Sequence, residues 1–325
     1  MSIAAPNTIV LTEFDREAPV DVPWEDLWHI FVIANDKGGA GKTSLTANLA
    51  LMLLKQLQAG NPDAGIPGDP DARVLVIDLN AQGNLTVHEF GVPEHLNDDG
   101  DSILEALRRG TPLRPVTVRP GLDVIPGGRE LKEEIPALYN RLMQAYTLNA
   151  DLRLLQCLMP IAGDYDYIII DTPPENPTLQ RLAMGAARWV ISPSKTDRGS
   201  LDGVNEMKRQ FELTRRVNPL LTFLGVVLFA TGRTSSQIHG KAEGRLRQIL
   251  GNAYYKFGQH IGHSEAVAQQ SRDLDGEPLV ALFDRAEKGD TSLPGTVRAV
   301  HEDYLQLTNQ VTARSAQLKQ QIEES

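Results

Sequence analysis

Six short apolar runs punctuate the chain, at residues 30–34, 74–77, 122–125, 167–170, 189–192 and 223–229. Most are continuous rather than alternating, as strands covered on both faces are. Between them the apolar positions recur at helical spacing, over 43–57 and 201–217 for example. In the second stretch Leu201, Val204, Met207 and Phe211 fall on one face. Strands alternating with amphipathic helices predict an α/β fold: a single domain with a mostly parallel, doubly wound sheet flanked by helices.

Three segments lie outside that rhythm. Residues 1–28 form a polar arm ending in Pro23, Trp24, Leu27 and Trp28, which predicts one helical turn docked by its tryptophans. Residues 58–72 are rich in Gly, Pro and Asp and read as a surface loop. At the C-terminus Val297, Val300, Tyr304, Leu307, Val311, Leu318 and Ile322 recur at three- and four-residue spacing. That stripe predicts a helix packed on the core. The chain therefore divides into an extension (1–28), one core domain (29–295) and a C-terminal helix (296–325). It has no internal repeat.

Composition adds exclusions. The 325 residues are 41% hydrophobic and 23% charged, near globular averages. Cys157 is the only cysteine, which excludes an intrachain disulfide and a cluster held by several thiolates of this chain. A reducing, cytoplasmic setting is expected, with no membrane span and no basic leader. Formal net charge is −10, against global nucleic-acid affinity. The charge is uneven. Residues 12–28 are strongly acidic, whereas 233–272 carry Arg233, Lys241, Arg245, Arg247, Lys256 and Arg272 against only Glu243 and Glu265.

The most specific chemistry lies after the first apolar run, in Lys37-Gly38-Gly39-Ala40-Gly41-Lys42-Thr43-Ser44. A glycine-rich turn between strand and helix lets backbone N–H groups approach phosphate oxygens, and the helix N-terminus adds partial positive charge. In such a loop Lys42 reaches the β- and γ-phosphates and the Thr43 hydroxyl ligates Mg²⁺. The usual first glycine of the motif is replaced by Asp36, with Lys37 beside it. Lys37 is read as a second lysine, badly placed for its own γ-phosphate and available to a facing subunit.

With these residues in view, the chain resembles the ParA family of partition ATPases, within the deviant Walker A group. The resemblance covers about residues 31–282. It rests on Ala34-Asn35-Asp36-Lys37 running into the phosphate loop, on Val76-Ile77-Asp78-Leu79-Asn80-Ala81-Gln82-Gly83-Asn84-Leu85-Thr86, and on Tyr165 to Pro174 with Asp171-Thr172-Pro173-Pro174 at its end. Weaker echoes are Ser192-Pro193, Leu201-Asp202-Gly203-Val204 and Leu224-Gly225-Val226-Val227-Leu228. The resemblance implies an ATP- and Mg²⁺-dependent homodimer with two nucleotides sandwiched between subunits, Lys37 contacting the partner's. Asp171 would hold Mg²⁺ through a water, and Asp78 would stand near the metal and γ-phosphate.

One departure matters. The family's second motif usually reads Asp-x-Asp-Pro-Gln, and here it is Asp78-Leu79-Asn80-Ala81-Gln82. Asn80 cannot accept a proton, and losing a general base costs about 10²–10⁴ in rate. Positioning and charge stabilisation dominate phosphoryl transfer, so slow or partner-dependent hydrolysis is expected rather than none.

The resemblance further implies non-specific DNA binding in the ATP state, release when a ParB-like partner stimulates hydrolysis, and association with the nucleoid. Arg233 falls where the family places a DNA-contacting arginine; Lys241, Arg245 and Arg247 share one or two faces of a helix; His263 stands where an arginine is often found. The alternatives are a MinD-like membrane-positioning ATPase and a ParA-like ATPase with a protein cargo. The mixed charges of the C-terminal helix disfavour the first. An iron-protein reductase fails for want of paired cysteines. Ser194-Lys195-Thr196-Asp197 resembles a guanine-reading motif and leaves GTP as a minor alternative to ATP. The acidic arm suits a basic activator peptide.

Overall fold

The computed structural model describes residues 22–60, 67–146, 150–230, 232, 236–264 and 279–324. Its centre is a seven-stranded sheet in the order β3-β4-β2-β5-β1-β6-β7. The strands are β1 (Ile30–Ile33), β2 (Val74–Asp78), β3 (Val116–Arg119), β4 (Leu122–Ile125), β5 (Tyr167–Asp171), β6 (Trp189–Ser194) and β7 (Thr222–Leu228). All neighbours pair in parallel except β3 with β4.

The helices are α1 (Lys42–Ala59), α2 (Asp101–Arg109), α3 (Glu130–Tyr146), α4 (Arg153–Ala162), α5 (Pro177–Ala186), α6 (Arg198–Thr214), α7 (Ser236–Leu250), α8 (Leu279–Glu287) and α9 (Gly295–Glu323). They cover both faces. Alternate residues of β1 enter different cores, Ile30 and Val32 on one side, Phe31 and Ile33 on the other. That is why the strand reads as a continuous apolar run.

The six expected strands are present, with small shifts at their ends. The edge strand β3 is an addition that the apolar runs did not announce. Val116-Thr117-Val118-Arg119 alternates and stays partly exposed, so it carries no continuous apolar signal. Helix α6 starts at Arg198, three residues before its apolar face begins, because Asp197 caps it by accepting the Ser200 N–H at 3.0 Å. Cys157 is buried.

The C-terminal stripe packs inward as expected: Val297, Val300, Tyr304, Leu307 and Val311 are buried against α1 and α8. Leu318 is only partly buried. Near the start, Trp24–Asp26 forms one 3₁₀ turn, and Trp28 stacks on Trp189 with ring centroids 5.5 Å apart. Most of the extension, residues 1–21, lies outside the described residues.

Candidate functional site

The carboxyl ends of β1, β2, β5 and β6 meet where ligands gather in open α/β sheets. The register brings two acids together, since Asp78 on β2 pairs with Asp171 on β5. On the other side of β5, Ile33 of β1 is the partner of Asp171, so the chain leaves β1 beside that carboxylate, with Asp78 one strand beyond, and enters the phosphate loop.

Gly39 and Gly41 have φ of 71° and 98°, the left-handed region open to glycine. Gly41 occupies the N-cap of α1, and no side chain there takes up the helix's first N–H groups. Lys42 is buried, and its ammonium donates to the Lys37 carbonyl at 3.0 Å. Desolvation lowers its pKa, opposed by Asp171 and Asp36. Lys37, five residues earlier, is exposed, and its ammonium has no partner among the described residues. The two lysines are thus distinguished by burial.

Thr43 Oγ1 donates to Asp171 Oδ2 at 2.8 Å and Thr46 Oγ1 to Asp171 Oδ1 at 3.3 Å. Burial raises the Asp171 pKa, and neighbouring Asp78 raises it further. Asp78 is itself raised by burial while its oxygens accept the Asn80 N–H, the Thr86 N–H and the Thr86 hydroxyl. A hydroxyl beside a desolvated carboxylate is a hard-oxygen donor set that suits Mg²⁺. Asn80 is nearly buried, and its Oδ1 accepts the Gln82 N–H at 3.0 Å.

These groups open on a cleft of about 670 Å³ that Gly39 to Ser44, Asn80 and Gln82 line on one side. Phe229, beside the loop, together with Ile261, Val300 and Tyr304 supplies apolar lining, and Lys195 and His263 also border the cleft. A charged cradle beside an apolar wall accommodates a phosphate tail and a flat base.

Several contributors were invisible as such in the sequence. Thr86, which grips Asp78, stood in a quoted motif without a role. Gly127 allows close packing behind the acids, where a Cβ would fall 2.3 Å from the Asp78 carbonyl oxygen. Phe229 ended an apolar run and gave no sign of touching the phosphate loop.

The suspected guanine-reading stretch has another use. Asp197 spends its carboxylate on the α6 cap, accepting both the N–H and the hydroxyl of Ser200. The basic residues divide too. Lys241, Arg245 and Arg247 are exposed on α7, with Arg247 stacked 4.3 Å from the Tyr254 ring centroid. Lys256 is ion-paired with Glu243 at 3.2 Å. Arg233 and Arg272 lie outside the described residues.

A protein-family profile described as an AAA domain, AAA_31, matches residues 28–223. The chromosome partitioning protein ParA of Myxococcus xanthus is 30% identical over 210 residues, 63% of this chain and 66% of that protein. The chain belongs to the ParA family of P-loop ATPases. The similarity of this ParA-family chain to the sporulation initiation inhibitor protein Soj of Bacillus subtilis is 28% identity over 300 residues, 87% of the chain and 98% of Soj. The structure of pNOB8 ParA shares the fold at a TM-score of 0.64 with 21% identity, over 89% of this chain and 98% of that one. A second structure of that protein, bound to nonspecific DNA, matches at a TM-score of 0.58. No described helix is long and apolar enough to cross a membrane.

Proposed function

We propose that this chain is an ATP-operated dimerisation switch that binds DNA without sequence preference in its ATP-bound state. The observation that carries the reading is the division between the two lysines. Lys42 is buried at the head of α1, where it serves its own subunit's nucleotide, whereas Lys37 is exposed at the mouth of the same loop and its ammonium has no partner among the described residues. An ammonium so placed is available to the triphosphate of a facing copy.

In this reading Gly38 to Ser44 hold the phosphates, and Thr43 with Asp171 holds Mg²⁺, Asp171 through a water. Mg²⁺ neutralises phosphate charge when bound. Asp78, kept in place by Thr86, stands near the metal and the γ-phosphate. Asn80 orients water without taking its proton, so basal hydrolysis is slow and the sequence calls for an activator, a ParB-like protein. ATP rather than GTP follows from the commitment of Asp197 to its helix.

Lys241 and Arg245, four residues apart on the exposed side of α7, are the DNA contacts among the described residues, with Arg247 beside them. The pNOB8 relative solved with nonspecific DNA supports this assignment by fold. Dimerisation doubles a modest charge per subunit, which is how a protein of net charge −10 comes to hold a polyanion. The net charge of −10 favours release once the dimer parts. The buried apolar stripe of α9 argues against the MinD-like alternative, which needs such a stripe free for lipid.

The test is DNA binding by fluorescence anisotropy with ADP, ATP and a slowly hydrolysed ATP analogue, across a salt series. Binding is expected with the triphosphates only, falling steeply with salt. Replacing Lys241 and Arg245 with Ala should lower the salt slope by about 1 per lost phosphate contact. Equal binding in ADP, or none in any nucleotide, rejects the reading.

A further inference from the structure

The exposed lysine is not loosely tethered. Asn35, fully buried at the end of β1, donates from Nδ2 to the carbonyls of Pro193 at 2.8 Å and Ser200 at 3.3 Å. Its Oδ1 accepts the Lys37 N–H at 2.8 Å. Between them the Asp36 N–H donates to the Gly203 carbonyl at 3.3 Å. Asn35 and Asp36 are therefore stitched to β6 and the first turns of α6, and Lys37 is tied to them through the Asn35 side chain.

The approach is close enough to exclude any side chain on one helix position. A Cβ on Gly203 would lie 2.2 Å from Asn35 Oδ1, 2.8 Å from Lys37 N and 2.9 Å from Lys37 Cβ. The Asn35 amide is buried and held by its hydrogen bonds, and the two Lys37 atoms are the backbone nitrogen and the Cβ fixed to the backbone, so none can yield. One turn earlier, a Cβ on Gly199 would lie 3.3 Å from the capping Asp197 Oδ1, 3.5 Å from Lys37 Cε and 3.8 Å from Cδ. The lysine stem thus runs along a groove left by two glycines at i and i+4, on a helix whose start is fixed by the Asp197 cap. Glycine weakens a helix interior, so a pair on one face is costly to the helix itself. The close passage of Asn35 and Lys37 accounts for Gly203, and Gly199 leaves the Lys37 stem in ordinary contact with the helix.

We propose that Gly203 and Asn35 are positioning residues for Lys37, and that the Gly199–Gly203 face of α6 is the seat that aims its ammonium at the triphosphate of a second copy. This deepens the dimer reading above and rests on it. A lysine stem free in water loses rotamer freedom when it docks, and one already lying along a helix loses less. Within its own subunit Lys37 meets Lys42 only through its backbone carbonyl, at 3.0 Å, while its ammonium has no partner among the described residues, so the aim of the side chain acts on assembly.

Three variants test it: Gly203→Ala, Gly199→Leu and, as reference, Lys37→Ala. Gly199 is half-exposed on the first turn of α6, so its added side chain fills the groove without entering the core. For each, binding of a fluorescent ATP analogue with Mg²⁺ by the dilute monomer is measured beside ATP-dependent dimerisation in sedimentation velocity. All three are expected to bind nucleotide within about threefold of the parent and to need about tenfold more protein to dimerise. If Lys37→Ala fails to dimerise while both glycine variants assemble normally, the seat is rejected and the sandwich stands. If Lys37→Ala itself assembles normally, the sandwich falls and the seat with it. Should Gly203→Ala misfold, Gly199→Leu alone decides.

Discussion

Gly41 lies against the ring of Phe229 so closely that a Cβ on the glycine would fall 2.3 Å from Phe229 Cδ1 and 2.4 Å from Cε1. The end of β7 thereby presses on the tightest bend of the phosphate loop, and the residue is pinned twice. Its φ of 98° disfavours a side chain, and the ring leaves no room for one.

The first prediction follows. Gly41→Ala combines left-handed strain of about 1–2 kcal/mol with overpacking of about 1–3 kcal/mol. Both a fall in melting temperature and loss of fluorescent ATP-analogue binding are expected. Adding Phe229→Ala should recover part of the stability and little of the binding, because the strain in the backbone remains. A Gly41→Ala protein that melts and binds like the parent contradicts the geometry.

Asp171 offers a separation of fold from metal. In the fold its charged form is opposed by burial and by Asp78. Asp171→Asn keeps an oxygen for the Thr43 hydroxyl and removes that charge, so the variant is expected to fold with undiminished melting temperature. As a carboxylate acting on Mg²⁺ through a water, its loss should weaken metal affinity about 10- to 100-fold. A Mg²⁺ titration of nucleotide binding, with EDTA as the zero point, reads this directly. Unchanged Mg²⁺ dependence would remove Asp171 from the metal site.

Asn80→Asp should speed hydrolysis. The side-chain oxygen that accepts the Gln82 N–H is retained, so the loop keeps its shape. The new carboxylate can take a proton from water, a gain of about 10²-fold where a general base is limiting. Phosphate release under single-turnover conditions measures it. An unaltered rate means that positioning, not proton transfer, limits this protein.

A pH-dependent stability term lies far from the site. Asp123 on β4 is buried at cost, yet hydrogen bonds from Thr117 at 2.7 Å, Tyr165 at 2.8 Å and Arg73 at 2.6 Å hold its pKa below the usual carboxylate range. The folded state then binds fewer protons than the unfolded chain at acid pH. Its contribution is complete above the unfolded aspartate's pKa, about 3.9, and disappears as pH falls through the lower folded value. Asp123→Asn should cost about 1–3 kcal/mol at pH 7 in urea unfolding, and the gap to the parent should close towards pH 3. A gap that persists unchanged in acid would assign the loss to packing instead.

What the amino-acid order determined was whatever repeats or clusters locally. Continuous apolar runs gave the six buried strands, because a strand covered on both faces needs no polar alternation. Glycines, Lys42 and Thr43 in one short stretch gave the phosphate loop, and the apolar stripe from Val297 to Val311 gave the C-terminal helix. The tertiary structure decided what depends on sheet order and on the packing of distant elements. It set Asp78 beside Asp171 in register, laid Lys37 along the glycines of α6 and drove Phe229 onto Gly41. It also added β3 as an antiparallel edge, gave Asp197 to a helix cap and tied Lys256 to Glu243. Partners as far apart in sequence as Lys37 and Gly203, or Gly41 and Phe229, leave no period in the chain. They exist only once parallel strands choose their neighbours, and that choice is made by the whole core rather than by any one segment.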